Sequence, residues 1–505
     1  MANEAGAKAQ KGLASFLMGG LGPAALVLGI YCAVSIILRL SLPNALTLDE
    51  AEQSLFSQYW LLGYGPQPPF FNWVQNLFVD ILGISVFALA LPKFLTLFLC
   101  YLFYGLAARE IDRRPSIVAF AMMSLVTLPQ VSYMPQQDLT HTVAVLMATS
   151  LFLFGLFRTL ARPSLFSYAV LGLAIGIGTI SKYNFVLLPA AAVVAIFCET
   201  AWRSRLFDWR VLVTAVLALA IILPHAAWLV GHVGMATQGT LEKMVDPNAP
   251  HGLVRVMKAL LSLVLACLAF GGLGVVALSV AARIKALAPL SRAQDSHTRL
   301  IGRMMVVSLV GVVAVILITG TTKITERWLD PYLLVLPLYL VLKLDRAGFD
   351  MPRVFRRLVP FLIVLMVITL LPLAGKTWTA GLTGSANRIN IPFADAADRL
   401  RGEGVPVGIV AGGMHLAGNM RMQFPELPVI NLEQASGEFP DRLVLGSPIL
   451  VVWYLKPGHD AGAIPDLSTV PAAQGRRLSA PETLHLPYYF SNGRQQLDLG
   501  YAWLR

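Results

Sequence analysis

Long apolar runs separated by short polar segments occupy the first three quarters of the chain. A run of about 20 apolar residues is long enough to cross the hydrocarbon core of a bilayer as an α-helix. The pattern therefore predicts a multispan α-helical membrane protein with about eleven transmembrane helices. The predicted spans lie near residues 19–41, 83–107, 115–131, 139–157, 164–181, 184–200, 211–230, 257–281, 304–320, 328–342 and 358–374.

The pattern changes after Gly375, where long apolar runs give way to short ones bounded by Pro and Gly. Short runs of this kind are typical of buried strands, and they lie at 405–413, 427–432 and 447–455. Residues 415–424 are compatible with a helix, and Asn492-Gly493 is a favoured hairpin turn. The tail is therefore predicted to be a small α/β domain closed by a hairpin.

We accordingly divide the chain into two domains. Residues 1–375 form the transmembrane domain, with a first outer loop at 42–82, and residues 376–505 form the α/β domain. Composition agrees with this class, because 56% of the residues are hydrophobic, only 13% are charged and the mean hydropathy is +0.67, unlike a typical soluble domain. The four cysteines all lie in apolar segments, which indicates packing rather than disulfides.

A net charge of +11 could indicate a protein that binds nucleic acid, but the basic residues are distributed according to the predicted loops. Alternate loops hold most of the basic residues, beginning with Arg109, Arg113 and Arg114 after the second span. By the positive-inside rule, these loops and the N-terminus are cytoplasmic, whereas the opposite loops and the α/β domain face outward. The charge is thus a topology signal, and no nucleic-acid partner is expected.

The first outer loop carries the acidic stretch LDEAEQ, with Asp49, Glu50 and Glu52. No Lys or Arg occurs between Ser41 and Pro92. These carboxylates therefore need water, a metal or a cationic substrate group, because a bare buried charge is costly. The loop is a candidate site. The alternative is that the acids cap and solvate a short surface helix.

Ionisable residues also stand at the outer ends of later spans. Asp138 and His141 lie at the mouth of the fourth span, where an ionisable group is a functional hypothesis by default. A helix N-cap explains Asp138 almost as well. Lys182 and Tyr183 belong to the very short loop SKYN between two spans, where the lysine either extends to the interface or contacts a phosphate.

The fifth outer loop contains Lys323 and Arg327 four residues apart, which places both on one face if the segment is helical. Two cations at one point suit a phosphate, which an arginine binds in bidentate fashion. The alternative is an internal salt-bridge cluster with Glu326 or Asp330.

Polar residues elsewhere outside the membrane give weaker signals. The fourth outer loop, 231–255, follows His225 and is long enough to order over a bound substrate as a lid. In the α/β domain, His415, Asn419 and His459 are expected to have solvated surface or loop roles.

Five of these stretches, in this order, resemble the C-type integral-membrane glycosyltransferases that use polyprenyl-phosphate sugars. The similar branch contains the protein O-mannosyltransferases and the lipid A aminoarabinose transferases. The matching stretches are LDEAEQ at 48–53, QPPFFNW at 67–73, Asp138, GLAIGIGTISKYNF at 172–185 and KITERWLDPYLLVLP at 323–337. DEAEQ together with SKYNFVLLP is also similar to the rhizobial lipopolysaccharide-core galacturonosyltransferases.

The resemblance implies an inverting transfer of one sugar from a polyprenyl-phosphate donor to a periplasmic acceptor, either lipopolysaccharide core or lipid A. The enzyme would be a monomeric multi-pass protein among the lipids of the bacterial inner membrane, with its active site facing the periplasm. Asp49 matches the family's first-loop catalytic acid, Glu50 lies beside it, and Asp138 matches the second outer-loop acid. The candidates for binding the donor phosphate or substrate are Lys323, Arg327, Lys182, Tyr183, Gln67 and His225.

The match departs from the aminoarabinose transferases at Gln67, where those enzymes carry a lysine before the first-loop proline. Gln67 can donate a hydrogen bond but supplies no charge, so the sugar is open between galacturonic acid and another modified sugar. Oligosaccharyltransferases of the same superfamily hold a divalent ion with outer-loop acids, for which Asp49, Asp138 and His225 are candidates. We predict that no cofactor is required, with a divalent metal as the alternative.

Three other functions are compatible with the sequence. A protein O-glycosyltransferase of the same fold would act on a different acceptor. A lipid or polysaccharide transporter would more often place ionisable groups deep within its spans and show two related halves. A noncatalytic scaffold of cell-envelope synthesis would use the outer domain for binding.

Overall fold

The computed structural model describes residues 12–234, 252–286, 288–432, 446–455, 464–468, 470 and 473–505. Short helical turns join the longer helices. The helices of nine or more residues are α1 (Leu21–Leu40), α2 (Leu48–Phe56), α3 (Phe70–Leu82), α4 (Val86–Ile111), α5 (Pro115–Ser124), α6 (His141–Ala161), α7 (Leu165–Thr179), α8 (Leu187–Phe197), α9 (Val211–Gly231), α10 (Leu253–Ala282), α11 (Ser296–Thr319), α12 (Leu336–Arg346), α13 (Met351–Trp378), α14 (Phe393–Glu403) and α15 (Met414–Gln423).

Contacts divide the chain into two compact units. The first unit contains Met1–Ala33, Leu61–Phe71 and Lys93–Thr369, and the second contains Val34–Trp60, Asn72–Pro92 and Leu370–Arg505. The boundary near residue 370 lies close to the one drawn at 375, but most of the first outer loop clusters with the C-terminal residues. The reason is that Ala45 and Leu55 are buried within the apolar core of the α/β domain.

Seven helices within the described ranges are long and apolar enough to cross a membrane, namely α1, α4, α6, α9, α10, α11 and α13. The prediction of a multispan helical protein is therefore confirmed. Other predicted spans contain shorter helices. Those at 164–181 and 184–200 contain α7 with 15 residues and α8 with 11. The one at 328–342 contains the turn Asp330–Leu333 and then α12 with 11 residues.

The predicted span 115–131 is broken near its C-terminal end. The helical stretch that starts at Pro115 ends at Thr127, and the next one, Pro129–Gln137, turns from it by 85°. Proline lacks the N–H that a continuing helix needs, and it disfavours a helical residue before it. The predicted span is therefore bent and does not continue to residue 131 as one helix. Asp138 follows directly after the second arm of the bend.

Small residues and helix caps fix the membrane helices of the first unit. The N-cap of α11 is Asp295, whose carboxylate accepts a hydrogen bond from the Thr298 N–H at 2.8 Å. α7 packs very closely against α9, because a Cβ atom at Gly172 would lie 2.6 Å from the Thr214 carbonyl oxygen. Small residues let membrane helices approach at this distance. The glycines of GLAIGIG therefore hold the SKYN turn beside α9.

The second unit contains a five-stranded sheet with the strand order β2-β1-β3-β5-β4. The strands are β1 (Gly408–Ala411), β2 (Val429–Asn431), β3 (Ile449–Tyr454), β4 (Glu482–Pro487) and β5 (Gln496–Leu504). β1 pairs in parallel with β2 and β3, and β5 pairs antiparallel with β3 and β4. Asn492 and Gly493 have φ angles of 53° and 73°, as a tight hairpin turn requires. A C-terminal sheet closed by a hairpin is therefore confirmed.

Candidate active site

The acidic stretch of the first outer loop forms the start of α2. Thr47 is the N-cap, and Asp49 and Glu50 occupy the first turn, where negative side chains are favourable. The Thr47 N–H donates a hydrogen bond to Glu50 Oε2 at 3.1 Å, so Glu50 caps the helix as the alternative predicts. Glu50 is buried, however, so the prediction that it is solvated is wrong. Asp49 is half-buried.

Glu50 also forms a buried ion pair with Arg39 at the end of α1. Arg39 Nη2 lies 2.9 Å from Glu50 Oε2, and Arg39 Nε lies 3.0 Å from Glu50 Oε1. Arg39 additionally donates to the carbonyl oxygens of Pro43 and Ala45 at 3.1 and 2.8 Å. Glu50 therefore supports the loop that leads into α2. Sequence reasoning missed Arg39 because it stands in an apolar run, two residues before Ser41, where the stretch without Lys or Arg begins.

Removing the Glu50 carboxylate is expected to destabilise the protein. Glu50→Ala leaves the Arg39 guanidinium buried without its partner, which costs about 3–5 kcal/mol. We expect thermal unfolding in detergent to show a clearly lowered Tm. The matched control is Asp398→Ala, which removes the exposed pair Arg401–Asp398 and costs at most about 1 kcal/mol. Equal Tm shifts for the two variants would contradict the structural role of Glu50.

Asp138 lies between the second arm of the bend and α6. It ends the short helix Met134–Gln137 and has extended dihedral angles. The N-cap of α6 is Thr140, so the alternative that Asp138 caps α6 is wrong. Asp138 is half-buried, and the next residue, Leu139, has a φ angle of 80°. A non-glycine residue with this φ is uncommon and marks a constrained connection.

Lys182 forms a hydrogen bond and an ion pair with the fifth outer loop, which lies with it in the first unit. Lys182 Nζ donates to the Arg327 carbonyl oxygen at 2.7 Å and lies 3.4 Å from Asp330 Oδ2. Burial lowers the pKa of Lys182, and the Asp330 carboxylate opposes this effect. Asn184 continues the link, because its side-chain amide donates to the Trp328 carbonyl oxygen at 2.7 Å. Lys182 is thus not an isolated interfacial lysine, and sequence reasoning missed Asp330 as its partner.

The Lys182–Asp330 pair gives a second expectation about stability. Asp330 is fully buried and its Oδ1 has no hydrogen-bond partner among the described residues. We expect Asp330→Asn and Lys182→Met each to lower the free energy of unfolding by about 1–3 kcal/mol. The double variant should lose less than the sum, with a coupling of about 0.5–3 kcal/mol. Chemical denaturation in detergent measures this cycle, and strictly additive losses would show that the two groups do not interact.

Tyr183 and His225 form an aromatic stack that continues along α9. The Tyr183 hydroxyl lies 3.0 Å from His225 Nε2, and His225 Nδ1 lies 2.7 Å from the Leu62 carbonyl oxygen. Since a carbonyl oxygen only accepts, Nδ1 carries the hydrogen and Nε2 accepts from Tyr183. The rings of His225 and Trp228 are also stacked, with centroids 5.6 Å apart.

The segment Leu61–Phe71, which carries Gln67, packs onto this cluster. A Cβ atom at Gly63 would lie 2.2 Å from the Trp228 ring, and the Phe70 N–H donates to the Ile180 carbonyl oxygen at 3.0 Å. Gln67 is half-buried. The structure thus brings three predicted residues, Lys182, Tyr183 and His225, together with the backbone of Arg327 and the segment of Gln67.

Lys323 and Arg327 do not share a helical face. Only Glu326–Trp328 forms a single 3-10 turn, and the residues from Gly320 to Thr325 are not helical, so the prediction of a shared helical face is wrong. Both side chains are exposed, and within the part of the chain that is described neither forms an ion pair with Glu326 or Asp330. The salt-bridge alternative is therefore also wrong, because Asp330 pairs with Lys182.

The remaining sequence candidates are placed as follows. Asn419 is fully buried, so its predicted solvated role is wrong, and His415 is half-buried. Residues 235–251, which make up most of the predicted lid at 231–255, and His459 lie outside the described residues. Within the described ranges, no three His, Cys, Asp or Glu side chains form a group that could hold a metal ion.

Comparison with known sequences gives matches over nearly the whole chain. The family model for dolichyl-phosphate-mannose-protein mannosyltransferases matches residues 66–228. The chain is 46% identical to the lipopolysaccharide core galacturonosyltransferase RgtA of Rhizobium johnstonii, over 95% of this chain and 97% of RgtA. It is 39% identical to the lipopolysaccharide core galacturonosyltransferase RgtB of the same organism, over 95% of this chain and 96% of RgtB.

Solved structures agree at the level of the fold. Crystal structures of ArnT from Cupriavidus metallidurans, in the apo state and bound to undecaprenyl phosphate, give TM-scores of 0.57 and 0.56. Each match has 13% sequence identity and covers 94% of this chain and 97% of ArnT. The helical bundle and the C-terminal sheet therefore belong to the same fold as ArnT.

Proposed function

Because this chain belongs to the family of lipopolysaccharide core galacturonosyltransferases and is a membrane glycosyltransferase, we propose that it transfers galacturonic acid from a polyprenyl-phosphate donor to lipopolysaccharide core. The observation that carries this proposal is the similarity to RgtA, at 46% identity over 95% of the chain. The undecaprenyl phosphate bound to ArnT, a protein of the same fold, supports a lipid phosphate as the donor.

In the proposed reaction an acceptor hydroxyl attacks the anomeric carbon of the donor sugar. The bond from that carbon to the phosphate oxygen breaks, and the electron pair leaves with the polyprenyl phosphate. Asp49, as an ionised carboxylate, takes the hydroxyl proton, and the anomeric configuration inverts because attack and departure occur on opposite faces. Glu50 supports this acid indirectly through its pair with Arg39, and Asp138 is the second outer-loop acid.

The leaving phosphate gains negative charge, which cations held in position stabilise. We assign this role to Arg327, Lys323 and Lys182. Lys182 Nζ already holds the Arg327 carbonyl oxygen at 2.7 Å, so the backbone that carries the guanidinium is fixed before substrate binds. Tyr183, His225 and Gln67 complete the proposed substrate contacts.

The proposal includes a topology. The protein would be a monomer with its N-terminus in the cytoplasm, about eleven crossings of the bacterial inner membrane, and its active site and α/β domain facing the periplasm. The distribution of basic residues over alternate loops supports this orientation. Labelling of an introduced cysteine at exposed Asp398 by a membrane-impermeant reagent in intact spheroplasts tests it.

The direct test uses the purified full-length chain in lipid nanodiscs, supplied with polyprenyl-phosphate galacturonic acid and a lipopolysaccharide core acceptor. We expect mass spectrometry to detect one added hexuronic acid on the acceptor, dependent on both substrates. Sugar found on proteins instead would favour the O-glycosyltransferase alternative. Movement of the lipid donor across vesicles without sugar transfer would favour a transporter.

A further inference from the structure

The helix that carries Asp49 is packed backbone to backbone against a helix of the α/β domain. Gly418 lies in the middle of α15, and a Cβ atom there would lie only 2.0 Å from the Ala51 carbonyl oxygen and 2.4 Å from its carbon. Ser54 Oγ of α2 donates to the Gly418 carbonyl oxygen at 2.8 Å. Because the obstructing atoms are backbone, only glycine at position 418 allows α2 to occupy this place.

The residue just before the N-cap of α2 is held by the same helix α15. The Leu46 N–H donates to Asn419 Oδ1 at 2.9 Å, and the Leu46 carbonyl oxygen lies 2.8 Å from His415 Nε2. Since the carbonyl oxygen accepts, Nε2 carries the hydrogen, and His415 Nδ1 accepts from the Tyr454 hydroxyl at 2.9 Å. Burial lowers the pKa of His415 to about 4, so the imidazole stays neutral at neutral pH.

The C-terminal end of α2 is held as well. The side-chain amide of Gln58 accepts from the Val429 N–H at 2.9 Å and donates to the Val429 carbonyl oxygen at 3.1 Å. Val429 belongs to β2, an edge strand of the sheet. Gln58 therefore forms hydrogen bonds with backbone groups that an open sheet edge leaves unpaired. The α/β domain thus holds α2 before its start, in its middle and after its end.

We propose that α15 positions the catalytic acid, with Gly418, His415 and Asn419 as positioning residues for Asp49. This inference rests on the proposed function, in which Asp49 accepts the acceptor proton. α2 has only nine residues, and a helix of that length is not stable in water without tertiary packing. The placement of Asp49 therefore depends on what α2 packs against, and a misplacement of about 1 Å costs about a hundredfold in rate.

The test compares two glycine-to-alanine variants of the full-length chain in nanodiscs. Gly418→Ala places a methyl group against the Ala51 backbone, and we expect kcat to fall by about tenfold to a hundredfold. The affinity for undecaprenyl phosphate should change less than about twofold, because the residues assigned to the phosphate belong to the first unit. Gly402→Ala is the matched control, since its Cβ would meet no described atom within 4 Å, and it should keep full activity.

A second pair of variants covers the case in which Gly418→Ala does not fold. His415→Leu removes the donor to Leu46 and should lower kcat by about tenfold, whereas His415→Gln retains a donor and should restore most of it. Folded Gly418→Ala with full kcat, or equal effects of the two His415 variants, overturns the positioning role. Parallel losses of kcat, lipid affinity and Tm in all of them also overturn it, because they indicate a general folding role.

Asp49→Asn, measured in parallel, distinguishes a failure of the positioning role from a failure of the assignment of Asp49 as base. If Asp49→Asn is inactive but Gly418→Ala is folded and fully active, only the positioning role fails. If Asp49→Asn transfers sugar at the normal rate, the assignment of Asp49 as base fails, and the positioning role fails with it.

Discussion

Asp49→Asn is expected to lower kcat for sugar transfer by about 10²–10⁴-fold, the usual contribution of a general base. The asparagine has nearly the same shape but cannot take the proton of the acceptor hydroxyl. Thr47 still begins α2, and Glu50 keeps its pair with Arg39, so the fold should persist. Binding of undecaprenyl phosphate should be retained, because no lipid-phosphate contact is assigned to Asp49.

Asp395→Asn is the matched control for this experiment. Asp395 is also an acid in the first turn of a helix in the second unit, at the start of α14, and it is exposed. Its substitution removes the same charge from the same kind of position, so any general effect of a helix terminus appears in both variants. Normal transfer by Asp49→Asn combined with inactive Asp138→Asn would instead assign the proton acceptor to Asp138.

The amino-acid sequence predicts those parts of the fold that depend on local patterns. α1 and α9 fall within or next to their predicted spans because each is one long, predominantly apolar run. β1, β2 and β3 fall inside the three short runs bounded by Pro and Gly for the same reason. The bend after Thr127 was missed because the apolar pattern continues through it, although Pro129 is the local signal for a break.

The resemblance to the galacturonosyltransferases is confirmed by the relatives, but the contacts of the site residues could not be predicted. Glu50 pairs with Arg39, which hydropathy assigns to a span, and Lys182 pairs with Asp330, 148 residues away. His415 binds Leu46 across 369 residues. Periodicity reports which face of an element is apolar, and it contains no information about which distant element covers a polar side chain.

Arg327→Ala is expected to weaken donor binding and transfer by about tenfold or more, and Lys323→Ala should act in the same direction. Hydrogen bonds to charged groups contribute about 1.5–3 kcal/mol, and a factor of ten corresponds to about 1.4 kcal/mol. Both side chains are exposed and, among the described residues, form no ion pair. A lipid phosphate therefore does not have to displace a carboxylate in order to reach them.

The contact between Lys182 and the Arg327 backbone allows the role of the Arg327 side chain to be tested apart from the stability of the loop. Lys182 binds the carbonyl oxygen of Arg327 and not its side chain, so Arg327→Ala should leave the Lys182–Asp330 pair and the Tm unchanged. Affinity for undecaprenyl phosphate, measured at low and high salt, should fall in Arg327→Ala and lose part of its salt dependence. Lys258→Ala, at an exposed cation of α10, is the control with unchanged affinity. Normal affinity and turnover in Arg327→Ala and Lys323→Ala would remove both residues from the phosphate site and leave Lys182 as its candidate cation.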